Sequence, residues 1–224
     1  MTFMRVIHLI GGGDTGGAKT HVLNLLKELN QSIDARLFCF RKGEFSEDAA
    51  KLGIPIEVIE SGNPVVGLRE LKRRLAGEKV DIIHCHGARG NLMGNLIKKH
   101  LGAPVVTTVH SDYRLDYLGR PVAMLSYGTT NMVALRRVNF YIGVSDPMTD
   151  ILIERGFPAD RIYTIYNGID FKTPIHPVPK EEFLKSVGME WEPDDVIAGI
   201  AVRLSPVKDV PTLLRAMKLA ASRN

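Results

Sequence analysis

Short apolar runs alternate with helical patterns from Arg5 to Ile165, and this alternation restricts the possible folds more than any other feature of the sequence. Strand-like runs cover Arg5–Ile10, Ala35–Phe40, Ile56–Ile59, Ile82–His86, Val105–Val109, Phe140–Val144 and Arg161–Ile165. Helical spacing covers Ala18–Leu29, Glu47–Leu52, Leu68–Leu75, Asn91–His100, Met124–Val138 and Pro147–Arg155. A strand, a crossover helix and a second strand give a parallel pair, and right-handed crossovers wind such units into one sheet. The expectation is an α/β fold, a doubly wound parallel sheet with helices on both faces, with its ligand crevice outside the carboxyl ends of the strands.

Composition narrows the class. With 45% hydrophobic and 24% charged residues among 224, the chain has the makeup of an ordinary globular protein. No apolar run approaches the roughly 20 residues that a membrane-spanning helix requires. The amino terminus enters a strand without a signal-peptide layout, and Cys39 and Cys85 fall inside apolar strands, so a cytoplasmic protein with reduced thiols is expected. A net charge of +4 suits an anionic ligand or an anionic membrane surface. Nucleic acid is not expected as a partner, because the basic residues are not interleaved with aromatics on one face.

Near the carboxyl end, Val196–Ala201 reads as a buried parallel strand and Pro211–Met217 as a helix. Between them Arg203 and Lys208 stand five residues apart at a strand-to-helix turn, a place that favours a pyrophosphate. Some thirty residues earlier comes Asn167-Gly168-Ile169-Asp170, and then a stretch with Pro174, Pro177, Pro179 and Pro193 that reads as a linker with a short helix near Glu181–Val187. In this combination the chain resembles glycosyltransferase family 4, retaining nucleotide-sugar transferases of the GT-B fold. In that family an Asn-Gly-Ile/Val-Asp element closes the first domain and an Arg-Leu-x-x-x-Lys turn opens the second. The resemblance runs from Arg5 to about Met217. It implies a Rossmann-like, acceptor-side domain over residues 1–170, a linker over 171–193, and over 194–224 the first strand and helix of an incomplete donor-binding domain. A lone strand and helix cannot bury both apolar faces, so truncation is expected.

The loop from Gly11 to Thr20 admits three readings. Gly11-x-Gly13-x-x-Gly16 matches a dinucleotide fingerprint, but no acidic residue ends the second strand. Arg41 and Lys42 there suit an NADP 2′-phosphate, which keeps an NADP-linked reductase as an alternative. A phosphate-cradling loop ending Ala18-Lys19-Thr20 has alanine where glycine is required, which argues against a nucleotide hydrolase. The resemblance supplies the third reading: Gly16 and Gly17 face the interdomain cleft and let backbone amides approach donor phosphates or acceptor.

Strand alternation places His84 and His86 on one face and Cys85 on the other. A metal would need a third ligand, and none is evident. His86 lies nearer the ligand crevice. In the family a histidine after the fifth strand contacts the transferred sugar, which points to His110, with Asp112 expected to orient it or hold an acceptor hydroxyl. Gly143-Val144-Ser145 also looks like the family; Ser145 is expected to cap the helix at Pro147, with a ligand contact secondary. Asn167 and Asp170 are expected to shape the turn into the linker, with Gly168 at positive φ. Leu68, Leu71 and Leu75, ringed by Arg69, Lys72, Arg73 and Arg74, form either a solvated helix or a patch for anionic lipid. The Tyr113–Leu118 loop would admit or cover an acceptor.

The resemblance therefore implies sugar transfer from a nucleoside-diphosphate-sugar donor to a sugar or lipid-linked acceptor, with no cofactor and no catalytic metal. The setting is cell-envelope, polysaccharide or glycolipid synthesis, at the inner face of the cell membrane. Arg203 and Lys208 would neutralise the leaving diphosphate. The fragment by itself is expected to be inactive. A nucleotide-sugar epimerase and a non-catalytic sugar- or nucleotide-binding module are the remaining rivals.

Overall fold

A computed structural model describes residues 4–13, 16–115, 125, 128–168, 177–192, 194–202 and 204–222. These fall into two compact units, Met1–Gly168 and Ile169–Asn224. The first is built on seven parallel strands: β1 (Arg5–Ile10), β2 (Asp34–Cys39), β3 (Ile56–Val58), β4 (Ile82–His86), β5 (Val105–Val109), β6 (Phe140–Gly143) and β7 (Ile162–Thr164). Their order is β3-β2-β1-β4-β5-β6-β7. The chain thus winds outward from β1 through β2 and β3, then returns to β1's other side with β4 and winds the opposite way. The switch point lies between β1 and β4.

Among the described residues, six helices serve this sheet: α1 (Gly17–Leu29), α2 (Glu44–Lys51), α3 (Pro64–Arg74), α4 (Gly87–Leu101), α5 (Thr129–Leu135) and α6 (Asp146–Glu154). Period-two alternation sends neighbouring residues of one strand into different cores. Ile7, Leu9 and Phe38 join Leu71, Met93 and Ile97 in one cluster. Ile10, Leu37 and Cys39 join Val22, Leu26 and Phe45 in the other. Two cores fed by alternate residues of the same strands require helices on both faces, so the doubly wound, Rossmann-like expectation is met.

Helix starts differ from the sequence reading for local reasons. Asn63 caps α3, its Oδ1 accepting from the Val65 amide at 2.9 Å with Pro64 next, so the helix begins four residues before Leu68. Gly87, at φ 67°, turns the chain directly from β4 into α4, so that helix begins before Asn91. Of the helix expected over Met124–Val138, the described portion is α5, while residues 124, 126 and 127 lie outside the described residues. The α3 leucines are not a lipid-facing patch. Leu71 and Leu75 are fully buried, Leu68 packs against them, and Arg73 and Arg74 are paired with Glu70 and Glu57.

Helix α4 lies close against the sheet. A Cβ on Gly90 would stand 2.3 Å from the backbone oxygen of Leu9, and one on Gly94 would stand 2.3 Å from Cys85 Sγ. Beside these glycines the buried Asn91 accepts from the Thr107 hydroxyl at 2.6 Å and donates to Asn131 of α5 at 3.1 Å. Glycine brings the helix down, and the amide fixes its position.

The second unit, described by itself, holds α7 (Lys180–Ser186), a short 3-10 turn at Pro206–Lys208 and α8 (Val210–Ala221). The strand expected over Val196–Ala201 is not formed, and Val196 is 96% exposed. A parallel strand takes its hydrogen bonds from neighbouring strands, and among the described residues none pairs with this segment. No residue of α8 is buried.

Replacing Gly90 by alanine should destabilise the fold by about 1–3 kcal/mol, because the obstacle is backbone and cannot rotate away. Gly62→Ala, with nothing within 4 Å of the new methyl, should be near neutral. Urea denaturation of both variants measures the contrast; equal stabilities would contradict the close approach of α4.

Candidate functional site

The β1–β4 pairing sets His8 opposite His84 and Ile10 opposite His86. Residues two apart share a face, so His8, His84 and His86 lie together on the α1 side of the sheet. His84 and His86 stack at a centroid distance of 4.4 Å and His8 and His86 at 5.5 Å, while His8 and His84 meet tilted by 39° at 4.7 Å. His110, just past β5, stacks 6.0 Å from His86, and His21 of α1 meets His110 edge-on at 4.9 Å. Five of the chain's seven histidines thus form one column that ends at the strand tips.

Burial keeps these rings neutral. It lowers His8 and His86 well below the ordinary 6.5, with repulsion between the imidazoles adding to the effect. His84 is lowered to about 3 and His110 to about 4, again by burial first, and His21 is lowered for the same reason. Neutral imidazole carries one donor and one acceptor, so rings can bond to one another. His8 Nδ1 and His86 Nε2 lie 3.2 Å apart, and His84 Nε2 is 2.8 Å from the Thr108 hydroxyl. His8 Nε2, His86 Nδ1 and His110 Nε2 are buried with no partner.

His8 is the third histidine of this cluster, which sequence reasoning missed. His8, His84 and His86 offer nitrogens within 4.8 Å of one another, the chemistry of a zinc-type donor set. However, His8 and His86 bond to each other and His84 to Thr108, so the arrangement is already a hydrogen-bonded plug. Alternation within β1 gives His8 a face of the sheet, but the pairing with β4 that brings it to His84 is not in the local sequence.

A cleft of about 510 Å³ opens at the switch point, lined by Gly11, Gly13, Arg41, His86, Gly87 and Ala88 among others. Arg89 lines it too, donating to the Ser61 carbonyl at 2.9 Å and lying 5.4 Å over the Phe40 ring. Gly16 caps α1 at φ 67° and Gly17 begins it; both are exposed with nothing within 4 Å of an added Cβ. Gly12, by contrast, is packed: a Cβ there would meet the Arg41 backbone oxygen at 2.5 Å. Lys19 pairs with Glu44 at 2.5 Å and Asp48 at 2.6 Å, so it does not reach over the loop as a phosphate-binding lysine would.

The remaining expected residues divide. Asp112 is half-buried and holds Arg155 in an ion pair while accepting from the Arg114 amide at 2.9 Å. Its carboxylate is therefore committed to Arg155, whose guanidinium lies 5.1 Å over Tyr113. Tyr113 is buried against Phe157 and anchors the start of a segment expected to be a loose acceptor loop; residues 116–118 lie outside the described residues. Ser145 caps α6, accepting from the Met148 amide at 3.4 Å. Asn167 is exposed, and Gly168 does not occupy the left-handed region, so the turn does not depend on glycine there. Asp170 and Arg203 lie outside the described residues. Lys208, in the second unit, is exposed and ends the 3-10 turn before α8.

A doubly wound sheet with its crevice at the switch point is the Rossmann-like architecture of GT-B glycosyltransferases. Residues 15–173 match the family described as Glycosyltransferase Family 4. The chain belongs to that family. An Escherichia coli protein named UDP-Gal:alpha-D-GlcNAc-diphosphoundecaprenol alpha-1,3-galactosyltransferase is 24% identical over 186 residues, covering 72% of this chain and 47% of the relative. An uncharacterized glycosyltransferase of Methanocaldococcus jannaschii is 26% identical over 159 residues, covering 67% of this chain and 39% of the relative. In structure, Anabaena Alr3699/HepE in complex with UDP-glucose aligns with a TM-score of 0.64 at 17% identity, covering 83% of this chain and 50% of that one. The chain therefore spans about half the length of these proteins or less. These relatives do not favour the reductase or binding-module alternatives. Among the described residues, no helix is long and apolar enough to cross a membrane.

The histidine column makes stability depend on pH. Between pH 6.5 and about 4 to 3 the unfolded chain's imidazoles take up protons while His84 and His110 stay neutral in the fold. The unfolded state then binds more protons, so stability falls as pH falls through that window. The slope reaches about 1.4 kcal/mol per pH unit for each fully neutral ring. Denaturant unfolding at pH 7.5, 6.0 and 5.0 should show the decline, with a smaller decline in His8→Leu. A stability unchanged down to pH 5 would contradict a buried neutral cluster.

Proposed function

We propose that this chain is the acceptor side of a retaining glycosyltransferase that moves a sugar from a nucleoside-diphosphate-sugar donor to an acceptor hydroxyl. The observation that carries the reading is the neutral histidine column ending at His110 beside the switch-point crevice, in a chain of glycosyltransferase family 4. UDP-glucose in the Anabaena neighbour and UDP-Gal in the name of the E. coli relative support a uridine diphosphate sugar as donor.

Within that reading each residue has a physical task. His110 is held neutral, with its pKa lowered to about 4 by burial, so at pH 7 it would meet a sugar hydroxyl without bringing a charge. Gly16 and Gly17 leave open space above the start of α1, where backbone amides can approach the substrate. Arg203 and Lys208 supply the positive charge that stabilises the departing diphosphate. Ser145 and Asn167 act through geometry, Ser145 by fixing α6. Asp112 acts on the site by holding Arg155 and Tyr113 in place.

The acceptor is a sugar or a lipid-linked sugar, in synthesis of an envelope polysaccharide or glycolipid. A lipid-linked acceptor would bring the enzyme to the inner face of the cell membrane as a peripheral protein.

Radiolabelled transfer from UDP- and GDP-sugars tests the proposal. The 224 residues alone should give no turnover above background, since they span about half the length of the glycosyltransferases they resemble; ordinary enzymatic rates would refute that. In a protein joining this chain to a complete donor domain, His110→Ala should lower kcat by about 10²-fold or more while UDP affinity changes little. An unchanged kcat would remove His110 from the reaction.

A further inference from the structure

We propose that the face formed by α4 and α5 docks on an anionic lipid surface. The surface stands on its own residues, whereas its purpose, bringing the crevice to a lipid-linked acceptor, rests on the transferase reading above. Neither helix carries a carboxylate: the sequence has no Asp or Glu between Asp81 and Asp112, nor between Asp116 and Asp146. Cations remain. Lys98 and Lys99 lie in the last turn of α4, and Arg136 and Arg137 directly follow α5. Among the described residues no carboxylate pairs with Lys98, Lys99 or Arg137. They stand against one another instead. Lys98 donates to the Arg137 carbonyl, and its ammonium is lowered from the ordinary 10.5 by burial first, then by Lys99 and Arg137. On α3, by contrast, Glu70 and Glu57 answer Arg73 and Arg74.

Charge alone would suit any polyanion, and the groove between the two helices selects lipid. It encloses about 630 Å³, with Leu92, Leu96 and Val133 along it and Lys98, Lys99 and Arg137 at the carboxyl-terminal end of both helices. Leu96 is 44% exposed and Val133 49%, so the row meets solvent. The seam cannot close over it, because Asn95 donates to the Ala134 carbonyl at 2.8 Å and fixes the spacing of the helices. Aliphatic side chains beside clustered cations suit a headgroup layer, the former at the acyl boundary and the latter among the phosphates. Nucleic acid offers phosphates but nothing for an aliphatic row, and α4 and α5 carry no Phe, Tyr or Trp on which bases would stack. Helix α4 begins with Gly87 at the rim of the crevice. Docking through its far end therefore keeps the crevice within roughly 20 Å of the lipid, the length of the helix.

Co-sedimentation of the 224-residue chain with vesicles tests this, with thermal unfolding measured alongside. Vesicles of mixed phosphatidylglycerol and phosphatidylcholine should bind the chain, and vesicles of phosphatidylcholine alone should not. Lys99→Gln and Arg137→Gln should each weaken binding about fivefold, the effect of one cation at such a surface. Leu96→Gln and Val133→Gln together should weaken it about tenfold more. All four side chains are exposed, so Tm should hold and lost binding is separated from lost folding. Arg69→Gln, an exposed cation on α3, should change nothing. No binding to the anionic vesicles, or binding that survives all four substitutions, overturns the surface. Binding that depends on Lys99 and Arg137 but not on Leu96 and Val133 overturns the lipid assignment and leaves a site for some other polyanion. If the transfer assay fails while vesicle binding persists, the transferase reading falls and the lipid surface stands.

Discussion

The pairing of β4 with β1 is the constraint on which the rest of this structure depends. It reverses the direction of winding, and where winding reverses two neighbouring crossovers lie on opposite faces and leave a crevice at the strand tips. The same pairing sets His8 opposite His84, so one register fixes both the crevice and the histidines beneath it. It also brings α4 across β1, β4 and β5, and that crossing needs Gly90 and Gly94 to pass over Leu9 and Cys85. A shift of one residue in this pairing would turn His84 and His86 into the leucine-rich core and Cys85 toward α1.

Burying five imidazoles together is tolerable only if they are uncharged. Two protonated rings at stacking distance would repel strongly at the low dielectric of a core, and desolvation alone already opposes the charge. Neutrality makes the column a run of hydrogen-bonding dipoles that fills the space between sheet and α1 and carries a polar surface up to His110. The charge in the first unit lies elsewhere. One ion-pair network, Arg5 and Arg36 with Asp34 and Glu78, lies at the amino ends of the strands, away from this column.

Much of this was legible in the sequence, and the reasons vary by element. The strands were readable because parallel strands buried on both faces are continuous apolar runs, and β1, β4 and β5 have the limits that the residues suggest. The shared face of His84 and His86 follows from alternation alone. His8 was not legible as their partner, because cross-strand register depends on packing far away in the chain. Likewise Asp112 reads as a free carboxylate beside His110 until Arg155, 43 residues later, is brought to it. The segment 196–201 reads as a strand by composition, yet hydrogen-bonded neighbours make a strand, and it has none here.

The glycine loop shows how a spacing can match while the physics points to a different residue. The fingerprint selects Gly11, Gly13 and Gly16, yet of Gly12, Gly13, Gly16 and Gly17 it is Gly12 whose Cβ would strike backbone, against Arg41. Gly12 also holds φ at 88°, so both sterics and conformation exclude a side chain there. That contact places the end of β2 against the loop and sets Arg41 at the rim of the crevice. The open glycines, Gly16 and Gly17, impose no such packing need. In a dinucleotide fold the matched glycines admit a pyrophosphate and let the helix pack; here packing falls to Gly12, while Gly16 and Gly17 face open space. The loop therefore joins two environments that its spacing could not separate: one glycine packed against the end of β2, and two that open onto solvent at the start of α1.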